Sequence, residues 1–486
     1  MKFKRYKIAG LLMLFLTAGL DACKDLTNGY STDTVKITDP SVINISNYLS
    51  GIEMSLIAVY ESELVHYGGI WANYFSGEDR QYIGVSNYIV AGLMEDAWRY
   101  TYNNVLANHV LLEAKAISES NYNALAISQI NVALAIGLAA DLWGDVPFEE
   151  AAKYPAVLNP KFDAQSSVYE QVQKLLNNAI TNFEKNLGNA SGDFFLGGEK
   201  DKWIRVANSA KARYYLHTKE YENAVKHGLL GIILGENLMA PHGNSRNNNM
   251  NMHYAFLRHD RPGMLLANSY APTLLDANKA NCRGNAKTDE NARLWWYYAP
   301  GGLDRKTGYE PNYACRDANR KYNGFFGSDT SFPLITYEET KLILAEAYMK
   351  QKSPDPANAL LHLNALRQYY NTGAPFKSNA FLRKNCKYLD YVIEDFSDGG
   401  IENKRGENPN AALLREILEE RYVSFIGQFE GWTDMRRTKN YLNLPLAPGK
   451  TEYPKRMLYP SSEVNTNVNT PNLGLFDEVP LFRTPY

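Results

Sequence analysis

The 486-residue chain sets 51 Lys and Arg against 53 Asp and Glu, a formal net charge of -2. That balance excludes the basic footprint of a nucleic-acid-binding protein, and four scattered cysteines exclude a disulfide framework. Tyrosine alone supplies 34 residues, each a flat apolar ring with a polar tip.

In chain order, residues 1–22 read as a lipoprotein signal peptide. Lys2, Lys4, Arg5 and Lys7 form a basic start, and the apolar run from Ile8 to Leu20 is too short for a permanent membrane span. Leu20-Asp21-Ala22-Cys23 resembles a bacterial lipobox, with Asp21 departing from the small side chain usual at its place. Cys23 is the expected lipidated N-terminus. Residues 23–45 are expected to be a flexible tether, polar and without apolar period. Residues 46–486 are expected to form a single domain.

That domain reads as mainly α. A first helix is expected from Ser46, with Leu49, Ile52, Leu56, Val59 and Leu64 on one face, ending at Tyr67-Gly68-Gly69. The next stretch, Ile70 to Gly92, is expected to be a loop carrying Trp71, Tyr74, Phe75, Tyr82 and Tyr88 among Glu78, Asp79, Arg80 and Gln81. Rings without helical period beside polar groups suit a sugar-binding surface, where a pyranose face stacks and hydroxyls find partners. A loop pinned to the core by its rings reads the same way. Further helices are expected over Ala97–Ser118, Ala124–Leu142 and Ser167–Asn186. In the second of these, Gly137 among alanines permits close helix approach.

Lys202–Thr218 with Tyr221–Leu234, and Tyr337–Gln351 with Asp355–Tyr369, resemble degenerate tetratricopeptide units. Between them, Asn278 to Asp329 is irregular and holds Trp295-Trp296-Tyr297-Tyr298, Tyr309, Tyr313 and Tyr322. The first four read either as a short strand with one buried face or as a second aromatic contribution to a ligand site. Leu413 to Arg437 carries five acids and four arginines. Its spacing predicts a scaffold helix and turn, with Glu420, Arg421, Asp434 and Arg436 satisfying one another and nearby backbone. Gly427 and Gly431 are expected to allow the change of direction. Leu442 to Tyr486 is expected to wrap the surface as loop.

Catalytic motifs are missing from the sequence: no H-E-x-x-H, no G-x-S-x-G and no dinucleotide fingerprint. Pro448-Gly449-Lys450-Thr451 has Leu444 where a phosphate loop requires glycine. Cys282, Cys315 and Cys386 lack the paired spacing of a zinc site. The expectation is a protein that is not an enzyme, with no cofactor and no metal.

Several segments in order resemble the SusD/RagB family, surface lipoproteins of Bacteroidetes. They are the lipobox at Cys23, Trp98 with Tyr102 and Asn108, Leu142-Trp143-Gly144-Asp145-Val146-Pro147, and Lys202-Trp203 with Ala207-Asn208-Ser209 and Arg213. Leu344-Ala345-Glu346-Ala347, Asn364-Ala365-Leu366-Arg367, Glu420-Arg421, Gly431-Trp432 and Arg436-Arg437 complete the set. Lys24-Asp25 resembles the charged tag that sends such lipoproteins to the cell surface. The resemblance implies a SusD-like α-helical scaffold of about four tetratricopeptide-like helix pairs, with irregular loop-rich insertions facing the ligand. It implies outer-membrane location, lipid-anchored and facing the cell exterior. It implies as partner a SusC-like TonB-dependent β-barrel, to which an oligosaccharide is delivered; the alternative is a RagB-like peptide-binding lid. Family ligand residues are too little shared to carry over. The aromatic loops therefore supply the candidates: Trp71, Tyr74, Asp79, Arg80, Tyr82, Trp295, Trp296 and Tyr309.

Overall fold

The computed structural model describes residues 42–90, 94–153, 156–246, 248–301, 308–314, 324–376 and 385–486. The signal peptide, Cys23, most of the tether, Cys315 and Tyr322 lie outside them.

Helix α1 (Ile45–Tyr60) buries Leu49, Ile52, Leu56 and Val59 as its apolar period requires. The chain then breaks at Glu61-Ser62 and starts α2 (Glu63–Trp71), which runs straight through Gly68 and Gly69. These glycines do not stop the helix. A Cβ on Gly69 would stand 2.6 Å from the Phe75 ring, and one on Gly68 would touch Trp432 at 3.4 Å. They are places where aromatic neighbours come against the helix backbone.

Four helix pairs joined by short turns follow among the described residues: α3 (Ala107–Ser118) with α4 (Tyr122–Trp143), then, after α5 (Gln165–Lys185), α6 (Lys200–His217) with α7 (Tyr221–Gly228), α8 (Tyr337–Lys350) with α9 (Pro356–Asn371), and α10 (Pro409–Ser424) with α11 (Phe429–Arg437). Side-chain caps mark several starts, Asn121 on α4, Thr336 on α8 and Asp355 on α9, each accepting a backbone N–H of the first turn. Helix α4 is long and apolar enough to cross a membrane, yet its apolar window is wholly buried within the protein. It is a core helix. Gly137 admits Tyr214 from α6, whose ring would lie 2.2 Å from a Cβ there. Ala212, Leu216, Ala224, Val225, Ile343, Leu344 and Ala347 then knit α6, α7 and α8 into one cluster. Residues 45–486 form one compact unit.

Helix α7 ends at Gly228, six residues short of the expected Leu234. Beyond it Leu229, Leu230, Ile233 and Leu234 are more than half exposed, so the apolar run that suggested more helix has no core to pack on. Before α3, the chain passes through a π-helical stretch at Tyr100–Leu106. Among the described residues, the strands of the insertions form two-stranded antiparallel pairs. Ser76–Gly77 pairs with Leu265–Leu266, Leu238–Ala240 with Phe332–Ile335, Thr288–Asp289 with Lys387–Tyr388, and Tyr298–Pro300 with Tyr309–Pro311.

Most acidic and basic residues of α10 and α11 are buried and paired, and Arg415 with Glu419 is a half-buried pair. Arg421 donates to Asp434 at 2.8 Å and Arg437 to Glu346 of α8 at 2.6 Å. Glu420 turns instead to Arg283 and Arg293 of the insertions, and Arg436 to the Asp141 carbonyl at 2.7 Å. The C-terminal segment is largely exposed loop, as expected, but it is anchored in the core at several points. Arg456, Met457, Val479 and Phe482 are in the core, and Trp143 Nε1 donates to the Leu458 carbonyl at 2.8 Å.

Candidate ligand cavity

A cavity of about 340 Å³ opens where the insertions meet the scaffold. Trp296 and Tyr297 reach it from the last turn of a short helix, Asn291–Tyr297, so the expected strand at 295–298 is helix for all but Tyr298. Phe325 precedes the Phe332–Ile335 strand, Tyr369 and Tyr370 close α9, and Phe376 follows it. Asn237, Glu338 and Gln428 add polar groups to the same wall.

The rings are held in place by their own polar tips and by a buried cation. Tyr370 Oη shares a hydrogen bond with Ser424 Oγ at 2.8 Å. Arg293, 1% exposed, lies with its guanidinium carbon 4.7 Å from the Tyr370 ring centre and 5.4 Å from that of Phe376. Its charge is spent elsewhere: it donates to Glu420 at 2.6 Å and lies 3.4 Å from Glu290. Such a cation over ring faces fixes their tilt more than it offers a ligand contact. Glu338, at the first turn of α8, has its carboxyl pushed above the ordinary range by burial. Hydrogen bonds from Thr336 and the Asn237 amide, the latter at 3.5 Å, oppose that rise, and the like-charged Glu339 adds to it. Ring faces with a few polar groups at the rim suit a ligand that has apolar C–H faces and hydroxyl edges.

Of the eight candidate ligand residues only Trp296 lines this cavity, joined by Tyr297 of the same aromatic run. Trp71, Tyr74 and Tyr82 are fully buried in the core. Trp71 donates to the Val85 carbonyl at 3.0 Å and packs on Trp432, and Tyr74 donates to the Tyr422 carbonyl at 2.7 Å. Tyr82 Oη meets His66 Nδ1 at 3.0 Å. A ring with both faces packed has none to offer a sugar, so these three are pins of the loop rather than ligand contacts. The loop itself is partly ordered, with a short helix at Gln81–Ser86. Asp79 and Arg80 are exposed and pair with each other at 2.9 Å, Arg80 holding a left-handed φ of 49°. Trp295 is half-buried outside the cavity, and Tyr309 donates to Asp276. The cavity residues that the sequence did not single out come from five separated stretches. The adjacent ring pairs Phe325-Phe326 and Tyr369-Tyr370 were the available signal.

One buried cluster has metal-ligand types. Asp141, His217 and Glu430 bring ligand atoms within 4.8 Å of one another. Their charges are already matched. His217 Nδ1 lies 2.9 Å from Asp141 and Nε2 3.3 Å from Glu430, Tyr169 donates to Asp141 at 2.5 Å, and Arg213 lies 3.4 Å from Glu430. Burial alone would lower the His217 pKa, but the two carboxylates outweigh it and hold it up at about 9. The group is an imidazolium between two carboxylates.

Residues 37–460 match a SusD-like family model described as starch-binding and associating with the outer membrane. Curated proteins give no match. Among solved structures, a SusD/RagB family protein from Bacteroides thetaiotaomicron is similar at 19% identity and TM-score 0.63, over 88% of this chain and 95% of that one. A chitin-binding SusD homolog from Flavobacterium johnsoniae is similar at 16% identity and TM-score 0.63, over 87% and 94%. A SusD homolog from Bacteroides uniformis is similar at 16% and 0.63, over 90% and 99%.

Proposed function

The chain belongs to the SusD-like family, and from that premise we propose that it is a non-enzymatic outer-membrane lipoprotein that captures an oligosaccharide. It is tethered through Cys23 on the cell exterior and passes the glycan to a SusC-like TonB-dependent β-barrel. The observation that carries the reading is the cavity walled by Trp296, Tyr297, Phe325, Tyr369 and Tyr370 with Asn237 and Gln428 at its rim. The glycan named in the family description and the chitin named for one structural neighbour support the same ligand class. Starch-like and chitin-like oligosaccharides are the first ligands to try.

Calorimetry of the purified protein against these oligosaccharides tests the reading. Ring stacking of about 1 kcal/mol per contact gives micromolar to millimolar affinity. Tyr369, half-buried at the rim, is the ring to remove, and Tyr369→Ala should weaken binding about fivefold without unfolding the protein. Unchanged affinity would move the site elsewhere. Retention of peptides in place of glycans would favour the peptide-binding lid. Release of reducing ends from a bound polysaccharide would make the protein an enzyme. Cys23→Ala should shift the protein out of the membrane fraction, and pulldown of the wild type from outer membranes should recover the barrel.

A further inference from the structure

Resting on the reading of this cavity as the glycan site, we propose that it selects oligosaccharides bearing a free amine, with the ammonium held between Glu338 and the rings of Tyr297, Tyr369 and Tyr370. The charge inventory of the cavity points this way. Its ionisable lining residues are Arg293, Asp329 and Glu338. Arg293 is neutralised by Glu420 and Glu290. Asp329 is exposed and at the edge. Glu338 is half-buried; among the described residues its carboxyl is hydrogen-bonded by Thr336 and the Asn237 amide and repelled by Glu339. The nearest lysine along its helix, Lys341, places its ammonium 5.2 Å from the Tyr337 ring centre. Glu339 beside it is bound to Arg213 at 2.5 Å.

Glu338 lines the same cavity as Tyr297, Tyr369 and Tyr370, and its charge acts on all three hydroxyls, behind that of the neutralised Arg293 at Tyr297 and Tyr370. A carboxylate that lines one cavity with aromatic rings is complementary to an ammonium. A neutral acetamido or hydroxyl group can donate a hydrogen bond to the carboxylate but leaves its charge unneutralised. Electron-rich faces and a fixed negative charge add in the same direction, and partial exclusion of water strengthens both.

The matched probes are glucosamine oligomers and their fully N-acetylated counterparts of equal length, which differ in the amine alone. Calorimetry with the whole mature protein should give about tenfold tighter binding for the free amine. Glu338→Gln should bring the two within about twofold, with its melting temperature checking that the variant is folded. Raising the salt concentration should weaken the glucosamine oligomer more than the acetylated one in the wild type, a readout that needs no variant. Equal or tighter binding of the acetylated oligomer would overturn the amine selection and leave the cavity as a glycan site. A preference that survives in Glu338→Gln would remove Glu338 from it. Binding of neither oligomer, nor of any other glycan, would overturn both readings together.

Discussion

Arg293 Nη2 donates to Glu420 Oε1 across 2.6 Å, joining the helix that carries Trp296 to scaffold helix α10. Both residues are buried, and Glu420 also accepts from Arg283 at 2.9 Å. Burial alone would raise the Glu420 pKa, but Arg293 and then Arg283 hold it down at about 2. The cavity wall is therefore positioned by a charge pair from which water is excluded. Glu420→Gln removes the anion and leaves two buried guanidinium groups short of a partner, at a cost of about 3–5 kcal/mol. Urea unfolding followed by tryptophan fluorescence should show the midpoint fall. The double variant Arg293→Met with Glu420→Leu should recover much of the loss, because the desolvation cost goes with the charges. A Glu420→Gln midpoint equal to the wild type would show that the pair holds nothing in place.

The pinned reading of Trp71 makes a contrasting prediction. Trp71→Ala would empty space against Trp432 and leave the Val85 carbonyl without its donor. The expected loss is about 3–5 kcal/mol of stability, with glycan affinity of the folded fraction unchanged. Ligand titration below the melting temperature separates the two effects. Lost affinity at full folding would return Trp71 to the ligand site.

His217 gives the fold a pH signature. Its pKa is held at about 9 in the folded protein, against an ordinary value of 6.5. A raised pKa stabilises fully below the unfolded value and is lost as pH rises through the folded one, so the window is about pH 6.5 to 9. The stability difference between wild type and His217→Gln should shrink by roughly 1–3 kcal/mol across that window. Taking the difference cancels groups common to both chains, such as Glu63, which burial and then Asp96 raise to about 7. A difference that stays flat from pH 6 to 9.5 would mean the imidazolium is not formed.

Much of the scaffold was legible because helices α1 and α5 carry their apolar residues at helical spacing, while α4, α8 and α9 start at side-chain caps. Misreadings cluster where a residue type has two uses. Gly68 and Gly69 looked like a stop and are close-packing points within α2. The rings of 70–92 looked like a ligand surface because an aromatic residue in a loop reads the same whether it faces water or core. Trp71 and Tyr74 are buried against Trp432 and Tyr422, more than three hundred residues away in sequence, and Tyr82 against Phe256. The cavity was illegible for the same reason. No local period links Asn237, Trp296, Glu338, Tyr369 and Gln428, which meet only once helices and insertions are packed.

Gly427 and Gly431 separate two reasons for glycine on one short stretch. Gly427 holds a φ of 79° at the turn between α10 and α11, a conformation that costs a side-chain-bearing residue about 1–2 kcal/mol. A Cβ there would also press on Phe326 at 3.0 Å and on the cavity ring Phe325 at 3.3 Å. Gly431 is helical, and its missing side chain admits Tyr74, whose hydroxyl would lie 1.9 Å from a Cβ. Gly431→Ala must therefore displace a fully buried tyrosine, an overpacking cost of about 1–3 kcal/mol, and should leave the cavity untouched. Gly427→Ala should lower both stability and glycan affinity, since the strain falls on the wall beside Gln428. Thermal melting and calorimetry on the two variants check the split. Equal losses of affinity in both would mean that the turn at Gly427 does not shape the site.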